Sequence, residues 1–261
     1  MKKYSFSPIP AETDFSGALS KVPEVTVGFW LLKIAATTLG ETGGDAVSMS
    51  MNLGYLIGTA IFAVLFLVAV VVQLKAKKFQ PIIYWTTIVA TTTVGTTLAD
   101  FCDRSLGIGY LGGSLILFSL VMVSLLSWYK TAGSIAVETV SEPKTEAFYW
   151  VTIMFSQTLG TALGDWVADS GFGFGGGALF FLALLAVVAA LYFWTSISRT
   201  ALFWGAFILT RPLGATVGDF FDKPHNEGGL ALSRYTASAV LVAFLVIGMY
   251  VLPHRAARKA H

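Results

Sequence analysis

The sequence predicts an all-α integral membrane protein: eight transmembrane helices, built as four parallel two-helix repeats and arranged as two pseudo-symmetric halves. Three observations lead there. The 261 residues are 55% hydrophobic and 12% charged, with a mean hydropathy of +0.72, too apolar for an ordinary soluble domain. Continuous apolar stretches such as 57–74 and 235–252 have the length of about 18 residues that crosses a bilayer as helix. They lack the alternation of a β-barrel strand. The third observation is internal repetition.

Four segments align without gaps from a tryptophan to an aspartate: WLLKIAATTLGETGGD (30–45), WTTIVATTTVGTTLAD (85–100), WVTIMFSQTLGTALGD (150–165) and WGAFILTRPLGATVGD (204–219). In each copy the aspartate follows the tryptophan by 15 residues, and a glycine follows it by ten: Gly40, Gly95, Gly160 and Gly214. A self-similar period of this kind marks a repeat architecture. Each aspartate is followed by a turn region, glycine-rich in most copies, and a second apolar segment, at 52–74, 107–128, 172–195 and 235–252. The first and third tryptophans lie 120 residues apart and the second and fourth 119, hence the two halves, joined through the polar stretch 129–146. The organisation is a tail over 1–25, one membrane domain over 26–252 with repeats at 26–76, 81–130, 146–198 and 200–252, and a tail over 253–261.

Orientation follows from where lysine and arginine fall. Lys2, Lys3, Lys21, Lys75, Lys77, Lys78, Lys130, Lys144, Arg199, Arg255, Arg258 and Lys259 lie on one side, against Arg104, Lys223 and Arg234 on the other. Both termini are expected in the cytoplasm and the aspartate-bearing turns outside. The polar N-terminus has no apolar core of a signal peptide. Repeats with an even number of crossings share one orientation, related about an axis along the membrane normal.

With Trp30, Trp85, Trp150 and Trp204 at the head of each copy, the chain resembles a family of bacterial membrane proteins known as a tandem repeat of unknown function. In that family four copies each carry two transmembrane segments and a characteristic tryptophan. The resemblance covers about 27–252 and implies the architecture; it brings no catalytic residues, and the expected location is the bacterial inner membrane.

Function is therefore read from the acids. A helix rises 1.5 Å per residue, so each aspartate lies about 22 Å beyond its tryptophan. With the indoles at the cytoplasmic interface, Asp45, Asp100, Asp165 and Asp219 sit within the outer half of the hydrocarbon, where a carboxylate costs at least about 2.5 kcal/mol unless it faces a polar interior. They should point inward. The helices that carry them are rich in threonine, including Thr37 and Thr92, with Gln157. Small and hydroxylated residues of this kind let helices approach and bond across interfaces, so the odd helices form the inner ring and the apolar even helices the outer one. Glu41, in the first copy alone, is four residues before Asp45 and shares its helical face. Asp103, Asp169 and Asp222 extend the acidic zone outward as a vestibule.

Oxygen-only clusters suit hard cations. The glycine-rich stretches 40–44 and 171–177 are places where the backbone can break and offer carbonyls. Lys33 and Arg211 are basic residues inside helices that need partners or gate the path; Arg211 precedes Asp219 by eight, two helical turns, so a pair within the helix or with a neighbouring repeat is feasible. Thr37, Thr92, Gln157 and Arg211 occupy equivalent positions, and Pro212 removes a helical hydrogen bond beside the arginine.

The expected function is a secondary transporter or exporter of a small cation, a hard divalent metal such as manganese, exchanged with protons on Glu41, Asp45, Asp100, Asp165 and Asp219. The alternative is a structural or regulatory membrane protein whose polar helix bundle binds a partner or lipid and transports nothing; the bland role of each aspartate is to cap the next helix or tie the turn between paired helices. The sequence offers no nucleophile elbow, phosphate loop or HExxH helix, so no enzyme is expected. Nor is a covalent cofactor expected, and no basic surface proposes nucleic acid. Cys102 is the single cysteine, and His225, His254 and His261 show no zinc spacing.

Overall fold

The computed structural model describes residues 20–253 and 255–257. Lys2, Lys3, His254, Arg258, Lys259 and His261 lie outside the described residues. Within them the chain forms eight α-helices and no strand: α1 (Val27–Asp45), α2 (Gly54–Lys75), α3 (Pro81–Asp100), α4 (Tyr110–Ala132), α5 (Pro143–Val167), α6 (Gly173–Trp194), α7 (Arg199–Asp222) and α8 (Arg234–Val251). Five helical stretches are long and apolar enough to cross a membrane: Gly54–Lys75, Pro81–Ser105, Tyr110–Ala132, Pro143–Trp194 and Arg234–Val251.

Helix starts follow local chemistry. The Thr26 hydroxyl accepts the Phe29 N–H at 3.2 Å to cap α1. Pro81 and Pro143 open α3 and α5, where a missing N–H removes no helical bond. Beyond the aspartates of the first three copies the helix does not stop but widens into a π-helical turn, over Ala46–Ser50, Phe101–Ser105 and Ala168–Phe172. The stretch 40–44, read as a place for the backbone to break, is unbroken helix within α1; its glycines admit a neighbouring helix instead. Only the later stretch breaks, at Gly171 and Gly173 with φ of 97° and 63°, which residues with a Cβ rarely adopt.

The odd helices close a ring, α1 against α3 and α7, and α5 against α3 and α7. Each even helix packs on the following odd helix: α2 on α3, α4 on α5, α6 on α7, and α8 back on α1. The division into inner and outer helices holds. α2 buries only Gly58 and Gln73 and α6 only Gly177 and Phe181, whereas α1 buries most of its length.

Two sets of contacts set the ring's register. At one end, the aromatic residue before each tryptophan meets the tryptophan of the next copy: Phe29 with Trp85 at 5.7 Å between centroids, Tyr84 with Trp150 at 5.7 Å, Tyr149 with Trp204 at 6.2 Å, and Phe203 with Trp30 at 5.8 Å. Ten residues on, each repeated glycine faces the residue seven past the tryptophan of the next copy: Gly40 faces Thr92, Gly95 faces Gln157, Gly160 faces Arg211, and Gly214 faces Thr37. The ends of the described residues close the aromatic end. Pro23 and Ala256 form an antiparallel bridge, flanked by Glu24 N–H to Arg255 O and Ala257 N–H to Val22 O, both 2.8 Å. Lys21, counted above as a loop charge, is buried there and bonds Glu146 at 2.7 Å.

This register makes a prediction of sign. A Cβ on Gly214 would lie 2.9 Å from the Thr37 carbonyl carbon and closer still to its side chain. Glycine to alanine in an exposed helix stabilises by about 1 kcal/mol, but Gly214→Ala should destabilise, by about 1–3 kcal/mol as overpacking does. A melting temperature of the purified variant at or above that of the parent protein would contradict the α1–α7 contact.

Candidate functional site: the acidic end of the ring

Because four equivalent helices form the ring, Asp45, Asp100, Asp165 and Asp219 arrive at one level, all buried. They do not cap. Asp45 and Asp100 precede the π-helical turns without any side-chain cap bond, and Asp219 lies inside α7. Their partners are basic side chains one turn further along. Arg104 bonds Asp100 at 3.0 Å on its own helix and Asp165 of the next copy at 3.1 Å. Lys223 does the same in the last copy, holding Asp219 at 2.9 Å and, across the ring closure, Asp45 at 2.8 Å. Arg234 from α8 adds Asp222 at 2.9 Å and approaches Asp45 at 3.7 Å.

One turn deeper, the ring axis is filled by Arg211. Its Nη2 stands 2.9 Å from Glu41 Oε2, 2.5 Å from Thr96 Oγ1 and 2.6 Å from Thr161 Oγ1, while Nη1 donates to Thr37 O at 3.2 Å. One guanidinium from α7 thus touches α1, α3 and α5. Of the two pairings left open by the sequence, within the helix or with a neighbouring repeat, the second is formed: Glu41 of the first copy, not Asp219, holds Arg211. Glu41, Thr96, Thr161 and Ala215 are equivalent positions, eleven past each tryptophan. The copy that supplies the arginine has only a methyl group there, which leaves room for the guanidinium.

Lys33 has no carboxylate partner. Its Nζ lies 4.1 Å from the Phe207 ring centroid and makes no hydrogen bond, a cation–π contact in place of a pair. Thr37 Oγ1 donates to Ile34 O at 2.8 Å, whereas Thr92 Oγ1 and both amide atoms of Gln157 are buried without a hydrogen-bond partner. Asp103 is buried against Gly113 at the start of α4. Asp169 is exposed, outside the buried cluster.

Among the described residues two sets of carboxylate oxygens converge within 4.8 Å: Glu41, Asp45 and Asp100, and Asp45, Asp219 and Asp222. Four of the five acids expected to hold a cation are in these sets, with Asp222 joining from the expected vestibule; Asp165 is instead tied to Arg104. The donors are all hard oxygen, the chemistry of magnesium, calcium or manganese. Arg104, Lys223 and Arg234, which the distribution of basic residues puts in outer loops, are instead the partners of these acids. The signal was present for two of them, since each follows its repeat's aspartate by four residues.

Removing one member of a buried pair leaves an uncompensated charge, at about 3–5 kcal/mol. Arg211→Gln should therefore lower the yield of monodisperse protein, and adding Glu41→Gln should recover part of it. Adding Asp219→Asn instead should recover none. Equal recovery by both second changes, measured by size-exclusion chromatography, would refute the Glu41 assignment.

No curated protein and no solved structure matches the chain. A family model does, four times in tandem, over residues 28–79, 83–134, 148–198 and 202–256. These matches frame the same tryptophan, glycine and aspartate series that builds the ring, and the chain belongs to the family described as Repeat of Unknown Function (DUF347).

Proposed function

We propose that the protein is a secondary transporter or exporter of a small cation, with a hard divalent metal such as manganese as the leading substrate. One observation carries the reading. At the acidic end seven carboxylates, Glu41, Asp45, Asp100, Asp103, Asp165, Asp219 and Asp222, are buried, and four basic side chains, Arg104, Arg211, Lys223 and Arg234, face them. A surplus of three acids in a low-dielectric site demands protons or a cation for neutrality. Asp45 Oδ1, Asp165 Oδ1 and Asp222 Oδ1 have no hydrogen-bond partner and are open to either. Competition between protons and metal for the same oxygens supplies antiport without a separate energising domain.

The reading includes eight membrane crossings in a bacterial inner membrane as two pseudo-symmetric halves, with both ends cytoplasmic and the aspartates toward the outside. The even helices support it with their exposed apolar faces, and the described chain ends meet at the aromatic end. Reporters at Lys77, Ser141 and Arg199 should read cytoplasmic, and reporters at Asn52 and Asn226 external. A cytoplasmic reading at Asn52 together with an external one at Lys77 would invert it.

A structural or regulatory bundle that moves nothing is the second reading. It draws on Arg104 and Lys223, each of which ties two aspartates across a repeat boundary. Charge removal separates the two. Asp45→Asn, Asp100→Asn, Asp165→Asn and Asp219→Asn keep size and much hydrogen bonding. Each should remain folded, and at least two should lose most manganese(II) flux in proteoliposomes, with less-than-additive loss on combination. Four folded variants with undiminished flux, or a parent protein that moves none of manganese, magnesium, calcium or sodium, would leave the structural reading.

A further inference from the structure

We infer that Arg211 is a tethered cation that competes with the transported one for Glu41, holding the empty site closed until a substrate cation takes Glu41 away. The inference rests on the cation-transport reading above and adds the means by which the site registers that it is empty.

The seat of the guanidinium is built as a cation site. It presents one carboxylate oxygen, two hydroxyls and one backbone carbonyl, from Glu41, Thr96, Thr161 and Thr37, and each of these side chains is buried. Two hydrogens on Nη2 are shared among three acceptors, so the arginine is held by proximity to oxygen on three helices rather than by one ideal bond. Placed on the ring axis, it occupies the line between the acidic end and the aromatic end.

Glu41 belongs to two sites at once. Its Oε2 bonds Arg211 at 2.9 Å, and one of its carboxylate oxygens lies within 4.8 Å of Asp45 and Asp100 oxygens. A divalent cation drawn among those three carboxylates attracts Glu41 toward itself and places a second positive charge beside Arg211. Both effects weaken the axial seat. Gln157 stands at the position equivalent to Arg211 on the neighbouring inner helix, fully buried, with its amide oxygen lacking any partner. It is an acceptor in the layer from which the arginine side chain rises. When the cation leaves, Arg211 returns to Glu41 and restores neutrality on the axis.

Competition has a signature that a merely structural arginine lacks: loosening the seat should tighten substrate binding, because the competitor is weakened while the acids are untouched. Thr161→Val tests this most cleanly. It is close in shape, and the hydrogen bond found for the Thr161 hydroxyl is the one from Arg211. Arg211→Lys is the second variant; it keeps the charge but loses the fork that spans Glu41, Thr96 and Thr161. Manganese(II) chloride is titrated into each purified full-length protein, and stabilisation against heat is read as a function of concentration. Half-saturation should fall about five- to tenfold in Thr161→Val, less than the loss of one whole charge-assisted hydrogen bond would give, because two Nη2 hydrogens are shared among three acceptors, and should fall in Arg211→Lys as well. A folded Thr161→Val protein with unchanged or higher half-saturation overturns the inference, whether or not Arg211→Lys folds. If that happens while the parent protein still binds and moves manganese, the tethered-cation inference fails alone; a parent protein with neither response takes the transport reading down with it.

Discussion

The contact on which the rest of the structure depends is the repeated glycine of one inner helix against the residue seven past the tryptophan of the next. In a bilayer there is little hydrophobic drive between helices, and association rests on close packing and polar bonds. A side chain at Gly40, Gly95, Gly160 or Gly214 would push neighbouring helices apart. Keeping those positions bare draws four helices tight enough that carboxylates of α1 fall within 4.8 Å of one from α3 in one set and of two from α7 in another. The acidic cluster is thus a consequence of the packing, and its repulsion has to be met locally. Arg104 and Lys223 meet it at alternate boundaries, one cation to two aspartates.

Symmetry falls off toward the axis for a geometric reason. The aromatic and glycine contacts recur at all four boundaries. The cations nineteen past the tryptophan occur in the second and fourth copies, while Met49 and Asp169 hold the equivalent places in the others, so at that level the ring is two-fold. On the axis there is space for a single long side chain. Four guanidiniums would collide and repel, so Arg211 and its partner Glu41 are unique by necessity.

Much of this was legible in the sequence. The fixed spacing from tryptophan to aspartate determined the level of the acids, and the threonines and glycines marked α1, α3, α5 and α7 as the inner set. What spacing along one helix does not contain is the identity of the helix opposite. Hence spacing leaves Arg211 free to pair with Asp219, two turns away on its own helix, or with a neighbouring repeat, and only the fold selects Glu41. Lys21 reads as a loop charge because its carboxylate, Glu146, is 125 residues away, and the second carboxylate of Arg104, Asp165, is equally hidden at 61 residues. The pairing of each even helix with the following odd helix was equally hidden, since a short connection favours packing within the hairpin. The phenylalanine or tyrosine before each tryptophan was visible, but its cyclic contact was not.

Cyclic closure also separates this array from an open solenoid, in which terminal repeats need capping. Here the junction between the last copy and the first repeats every type of contact found at the inner boundaries: α8 on α1, Phe203 on Trp30, Gly214 on Thr37 and Lys223 on Asp45. The short bridge between Pro23 and Ala256 then ties the segment before α1 to the segment after α8 at the same seam. No copy is therefore peripheral. The first supplies Glu41, the second and third supply Thr96 and Thr161, and the fourth supplies Arg211, so the axial site exists only when all four are present and in order. Four like helices therefore enclose one asymmetric cluster, with the first copy's Glu41 and the fourth copy's Arg211 set against the paired threonines of the second and third.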